Sequence, residues 1–228
     1  MRSYLAKSLF LLLLALPAHA VEPLQLYGAE ALYAVERKGK SIGQYRLSFQ
    51  SQAKGGFDVD VAMQLQISVL GLFHYDYRYR AREQWESGRL AAMQVYIDDD
   101  GDTREYRFNR RADGLYRLNN NAGDERLGDN LLTSNHWHPL LMKQTQLLNT
   151  LTGNVSQLKV ELQGEDELQV GERTVSARRY RLGGDLENTL SWYDERGRWL
   201  GMEFSARDGS RIRVRLQSST EMNTREES

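Results

Sequence analysis

Phe57-Asp58-Val59-Asp60-Val61-Ala62-Met63-Gln64-Leu65-Gln66-Ile67-Ser68-Val69 is the stretch that decides the fold. Every odd position is apolar and, apart from Ala62, every even position is polar. The phase survives Gly71 and continues as Phe73, Tyr75, Tyr77 and Tyr79 against His74, Asp76, Arg78 and Arg80. A period of two puts all the apolar groups on one side of an extended chain, whereas a helix would scatter them around its axis. The stretch reads as one long bent strand, or as two strands with a glycine bend between them.

The same alternation recurs outward in both directions. Tyr45, Leu47 and Phe49 alternate with Gln44, Arg46 and Ser48, and Leu158, Val160 and Leu162 with Lys159 and Glu161. Leu200, Met202 and Phe204 share a face, as do Ile212, Val214 and Leu216 between Arg211, Arg213 and Arg215. Turn signals separate these runs: Lys38-Gly39, Gly55-Gly56, Ser87-Gly88, Asp100-Gly101, Asp113-Gly114, Gly183-Gly184 and Asp208-Gly209. Strands joined by short turns predict an all-β, long-stranded antiparallel meander. Such a sheet packs as a sandwich or curls into a barrel or half-open barrel, and long twisting strands favour curling. One segment breaks the pattern. Leu131 to Leu151 carries Ser134, Asn135 and Pro139, then weak helical spacing at Leu140, Leu141, Gln144, Leu147 and Leu148. It reads as a loop and a short helix that plug or cap the sheet.

The N-terminus has the form of an export signal. Arg2 and Lys7 precede the apolar run Ser8 to Leu16, Pro17 ends it, and Ala18-His19-Ala20 offers small residues at a cleavage site. The run is about half of the ~20 residues needed to span a bilayer. The expected organisation is a signal peptide over 1–20, one β domain over 21–217 and a polar tail over 218–228, with the mature chain in the periplasm. Loss of Arg2 and Lys7 leaves 28 basic against 31 acidic residues, a net charge of −3. That balance offers no basic stripe for nucleic acid, and no second apolar run is long enough to cross a membrane. There is no cysteine, which rules out disulfides, thiolate metal sites and a lipidated N-terminal cysteine.

Few residues suggest chemistry. In an extended Ser134-Asn135-His136-Trp137-His138-Pro139, the two histidines would face the same side and could approach one metal ion, but no third ligand stands at a useful spacing. Asp98-Asp99-Asp100-Gly101-Asp102 fails as an EF-hand, because the register set by Gly101 puts Tyr96 and Arg107 where oxygen ligands belong. An Asp-Gly hairpin turn explains it. Asp58 and Asp60 fall on the polar strand face, where solvation explains them. No Gly-x-Ser-x-Gly elbow or phosphate loop occurs. The expectation is therefore of no enzyme, no metal and no cofactor.

In order along the chain stand Tyr33-x-Val35, Gly39-x-x-Ile42-Gly43, Trp85-x-x-Gly88-Arg89-Leu90, Asp99-Asp100-Gly101 and Ser134-x-His136-Trp137. They are followed by Ala177-Arg178-Arg179-Tyr180-x-Leu182-x-Gly184, Trp192-Tyr193-Asp194-x-x-Gly197-Arg198 and Asp208-Gly209-Ser210. This series, from Leu32 to Leu216, resembles a family of uncharacterised exported bacterial proteins described as a domain of unknown function. The strand pattern also resembles the half-open barrels of periplasmic lipoprotein and lipid carriers, which implies an apolar concave face able to hold acyl chains. The family supplies no catalytic residues.

The leading expectation is a binding protein for an apolar or amphipathic, lipid-like ligand. Its wall would comprise Leu65, Ile67, Val69, Phe73, Tyr75, Tyr77 and Tyr79, with Trp137, Phe204 and Val214. The alternative is a filled-core module acting through its outer face, where Arg78, Arg80, Arg211, Arg213 and Arg215 would meet an acidic partner or membrane headgroups. A metal-dependent enzyme using His136 and His138 ranks third.

Overall fold

The computed structural model describes residues 23–53, 55–69, 73–119, 122–206 and 208–221, with Val69 and Phe73 described in backbone only. The expected signal peptide over 1–20 lies outside these residues. After a short helix α1 (Pro23–Tyr27) come eight strands: β1 (Glu30–Arg37), β2 (Lys40–Ser51), β3 (Phe57–Val69), β4 (Phe73–Glu86), β5 (Arg89–Asp99), β6 (Asp102–Arg111), β7 (Gly114–Arg117) and β8 (Glu125–Gly128). A 3-10 turn at Pro139–Lys143 interrupts the series. Six more strands follow: β9 (Gln146–Asn149), β10 (Asn154–Val170), β11 (Arg173–Gly184), β12 (Thr189–Tyr193), β13 (Trp199–Ser205) and β14 (Arg211–Ser219).

Among the described residues all fourteen strands form one antiparallel sheet in the order β8-β7-β6-β5-β4-β3-β2-β1-β14-β13-β12-β11-β10-β9. β1 pairs with both β2 and β14, so the meander runs away from it in both directions. Three hairpins turn on residue pairs with positive φ at both positions: Lys38-Gly39, Ser87-Gly88 and Asp100-Gly101. That is the type I′ geometry whose twist matches the strands, and it sets the register of each pair. In the last of these, the Asp98 carboxylate accepts from Gly101 N at 2.9 Å, so the acidic cluster is turn chemistry.

The sheet is curled but not closed by backbone pairing. Its two ends meet through side chains: Arg117 of β7 donates to Asn154 Oδ1 at 2.5 Å and to the Gly153 carbonyl at 3.3 Å. Gly153 has φ +71, and a Cβ there would lie 2.6 Å from the Tyr106 ring of β6, so the seam passes where no side chain fits.

The period-two pattern explains the core. Odd residues of β3 and β4 from Phe57 to Val61 and from Tyr79 to Trp85 are buried, with Val35, Leu47, Ile97, Val214 and Leu216 on neighbouring strands. Burial of each such apolar side chain contributes about 1.5–3 kcal/mol. A bulge in β10 between Leu162 and Gly164 shifts the register against β11, and Leu162 is 61% exposed. β14 runs through Ser219, and Glu221 takes ion pairs from Arg196 at 2.7 Å and Arg198 at 2.9 Å. β14 thus continues two residues past Gln217, and Glu221 neutralises two arginines of the β12–β13 turn.

Candidate functional site

The interior of the curl holds much of the segment from Leu131 to Thr150, but the helix expected through Leu148 is reduced to the 3-10 turn Pro139–Lys143, and Gln146–Asn149 forms strand β9. Leu131, Leu132, Thr133, Asn135, His136, Trp137, His138, Leu141, Leu147 and Leu148 are all buried. An irregular backbone inside a protein must find partners for its peptide groups. Here tyrosines supply them. Tyr45 of β2 donates to the Asn135 carbonyl at 3.1 Å, Tyr193 of β12 to that of His136 at 2.9 Å, and Tyr27 of α1 to that of Trp137 at 2.8 Å. Tyr79 of β4 donates to Asn135 Oδ1 at 2.8 Å. Burial raises the pKa of all four phenols, which keeps them donors. Strands from both arms of the meander thus grip one loop.

Glu83 anchors the same loop. It is fully buried on β4 and accepts from Trp85 Nε1 at 2.8 Å, Thr133 Oγ1 at 2.8 Å, Asn135 Nδ2 at 2.6 Å and Trp137 Nε1 at 3.0 Å. Burial raises its pKa, and the four donors oppose that shift. A carboxylate with this many donors is pinned in place. Trp137 packs edge-on against Phe49, Phe57 and Trp85 at ring separations of 5.3–5.9 Å. Glu83 is not among the residues expected to act, although its signal is legible in the sequence: it stands in the apolar phase of β4, between Ala81 and Trp85.

The two histidines do not share a side. His136 has φ +63, which breaks the extended geometry the spacing argument assumed. Its ring stacks on Trp199 at 5.3 Å with Nδ1 3.3 Å from Ser191 Oγ. His138 lies instead against Trp85 and Trp137, and its Nδ1 accepts from Leu140 N at 3.2 Å. Burial lowers both pKa values to about 4. Among the described residues no three His, Asp or Glu side chains gather to hold a metal ion.

The residues expected to form an apolar wall separate into two groups. Tyr79, Trp137 and Val214 are buried in the filled interior. Leu65, Ile67, Tyr75, Tyr77 and Phe204 are half-buried at the other end of the strands. There the β3–β4 ladder continues to Val69 and Phe73, beyond the last β2 partner at Leu65 and the last β5 partner at Tyr77. Tyr75 is tied to Asp99 by a 2.6 Å hydrogen bond. The side chains of Val69 and Phe73 lie outside the described residues.

The outer arginines are largely neutralised. Arg211 and Arg213 both pair with Glu203, at 2.9 and 2.6 Å, Arg215 with Glu36 at 2.5 Å, and Arg78 with Asp98 at 3.7 Å. Asp58, expected to be solvated, is buried beneath Arg82, which it meets at 3.0 Å.

Residues 33–217 match the family model described as a domain of unknown function, DUF6134. No curated protein matches the chain. Among solved structures, the β-barrel-like protein of domain of unknown function DUF1849 from Brucella abortus aligns with a TM-score of 0.57 at 11% identity. That alignment covers 83% of this chain and 95% of the other, and it shows a shared fold alone. A DUF1329 family protein from Desulfovibrio piger is 12% identical over 84% of each chain, with a TM-score of 0.15, too loose a superposition to bear on the fold.

Proposed function

We propose a role for this chain, which belongs to the family described as a domain of unknown function (DUF6134), from its own geometry: an exported protein that holds an apolar or amphipathic, lipid-like group against its projecting β3–β4 hairpin. The supporting observation is the half-buried row Leu65, Ile67, Tyr75 and Tyr77: Leu65 and Tyr77 are the last residues paired to β2 and β5, and Ile67 and Tyr75 stand on the stretch of ladder that outruns both neighbours. Phe204 stands at the same end of the curl, where the Arg37–Asp208 ion pair joins the β1–β2 and β13–β14 turns. Below Tyr79 the interior is occupied by the chain itself, so the ligand sits at the mouth and does not thread the barrel. Binding of this kind gains from apolar area removed from water and needs no catalytic group or cofactor.

The role assumes cleavage after Ala20 and release into the periplasm. No helix among the described residues is long and apolar enough to cross a membrane. Native mass spectrometry of protein taken gently from the periplasm, followed by organic extraction, tests the whole reading. An added mass that extracts as lipid, and is lost in Leu65→Ser/Ile67→Ser, supports it. Bare protein at the mass of Val21 to Ser228 would sink the ligand claim.

A second reading has one specific observation in its favour. The filled interior suits a rigid module that acts through its outer face, and Arg80, exposed between Ala62 and Tyr96 in the cross-strand register, has no ion-pair partner among the described residues. Bare protein in the extraction experiment would favour this module.

A further inference from the structure

At the opposite end of β4 from the projecting hairpin, a cleft of about 200 Å³ opens between the Ser87-Gly88 turn and the plug. Its apolar walls are Trp85, Leu90, Leu131 and Leu140. Leu140 is 42% exposed, high for a leucine resting on a core. The polar groups in the same cleft are unusual in composition. Arg89 and Arg110 both line it, and Arg89 has no acidic partner among the described residues; Glu86, its cross-strand pair, makes no ion pair with it. Arg110 spends its Nε on the Leu90 carbonyl at 2.8 Å and its Nη2 on the Asp129 carbonyl at 2.7 Å. The Asp129 carboxylate lies nearer Arg126, at 3.4 Å. Burial and the charge of Arg89 both lower the Arg110 pKa, with Asp129 opposing them. Two guanidinium groups thus face one small cleft with no carboxylate bound to either among the described residues.

His138 adds a third donor. Because its Nδ1 accepts from Leu140 N, the neutral ring carries its proton on Nε2, and no hydrogen bond from Nε2 forms within the described residues. Asn130 and Gln144 are neutral amides at the rim. The unused charged and imidazole capacity of the cleft is therefore donor only, set beside an apolar wall. Like charges brought together without an acid between them are costly, and a bound anion relieves that cost. A guanidinium fork matches a carboxylate in two parallel hydrogen bonds.

We propose that this cleft binds a small amphipathic carboxylate, with its head between Arg89 and Arg110 and its aliphatic tail along the exposed Leu140, above the buried Trp85 and Leu90. The volume lies below the ~300–1,000 Å³ of drug-sized pockets, which restricts the occupant to a small acid of medium chain length at most. The site is separate from the hairpin wall and stands whether or not that wall binds lipid.

The probe is octanoate, titrated calorimetrically and by tryptophan fluorescence, since Trp85 forms part of the wall. Saturable binding is expected, weakened about tenfold or more in Arg89→Gln, with 1-octanol failing to compete. Arg89 is exposed beside a turn, so the variant should keep the wild-type circular dichroism and melting curve. Leu65→Ser/Ile67→Ser should retain octanoate binding, which separates this cleft from the hairpin wall. Absence of saturation, equal binding of 1-octanol, equal Arg89-dependent binding of inorganic phosphate, or unchanged affinity in Arg89→Gln would each overturn the proposal.

Discussion

The two halves of β4 behave as different materials. From Tyr79 to Trp85 its inward side chains are buried and tied by hydrogen bonds to a loop more than 50 residues away in sequence. From Phe73 to Tyr77 the same alternation continues, yet the strand runs beyond its last β5 partner, Asp99 opposite Tyr77, and its described inward residues are only half-buried. One periodic sequence therefore builds a closed interior at one end and an apolar overhang at the other. The difference lies in what faces the strand. The plug covers the first half, whereas Leu65 and Tyr77 of the second only border the core and are half-buried.

The sharpest way to break this contrast is to remove the anchor. Glu83→Ala leaves four donors without their acceptor in a dry interior, and should cost about 3–5 kcal/mol of unfolding free energy. Urea denaturation measures it, and a loss below about 1 kcal/mol would mean that Glu83 does not hold the loop. Trp137→Ala, which empties the space among Phe49, Phe57 and Trp85, should cost a similar ~3–5 kcal/mol.

The plug also carries a pH signature. His136 and His138 have folded pKa values lowered from 6.5 to about 4, so the folded state disfavours their charged forms. Their contribution is fully present above pH 6.5 and is lost as pH falls towards about 4. The loss is on the order of 3 kcal/mol per histidine. Glu83 has the opposite sign: its raised pKa favours the folded state at low pH and partly offsets the loss. Unfolding free energies at pH 7 and pH 4.5 should differ in favour of pH 7, and by less in His136→Gln. Equal stability at the two values would show that these rings are hydrated.

At the overhang the balance reverses. Leu65→Ser or Ile67→Ser should change stability by about 1 kcal/mol or less, while removing any lipid that extracts with the wild type. A large loss of stability there would mean that the hairpin is core, and the contrast within β4 would collapse. Arg80→Ser, on the outer face, should lie within about 0.5 kcal/mol of wild type.

How much of the molecule is legible in its sequence follows the range of each interaction. The meander and its turns are readable because alternation and Asp-Gly or Ser-Gly turns are local in sequence. That Leu131 to Leu151 enters the sheet can be inferred, since it is the one apolar segment of the β domain without alternation. How it is held cannot. The carbonyls of Asn135, His136 and Trp137 are capped by Tyr45, Tyr193 and Tyr27, residues 57 to 110 positions away, and no local pattern encodes such pairs. The histidine spacing misleads because it presumes an extended backbone, whereas His136 adopts positive φ and its ring stacks on Trp199. The sequence groups Tyr79, Trp137 and Val214 with the wall because alternation reports which face is apolar. It does not report what the chain itself places against that face.

Amide hydrogen exchange along β4 and the plug tests most directly whether the filled interior is closed in the native state. Ser134, Leu148 and Thr150, whose amides are bound at 2.8–3.0 Å, should exchange only through global unfolding, with the same free energy as the strands around Val95 and Val214. Residues 65–69 and 73–77 should exchange through cheaper local opening. If the plug amides instead exchange as readily as the hairpin tip, the interior opens in the native state. The filled end of the curl would then be a gate, and the contrast between the two halves of β4 would be lost.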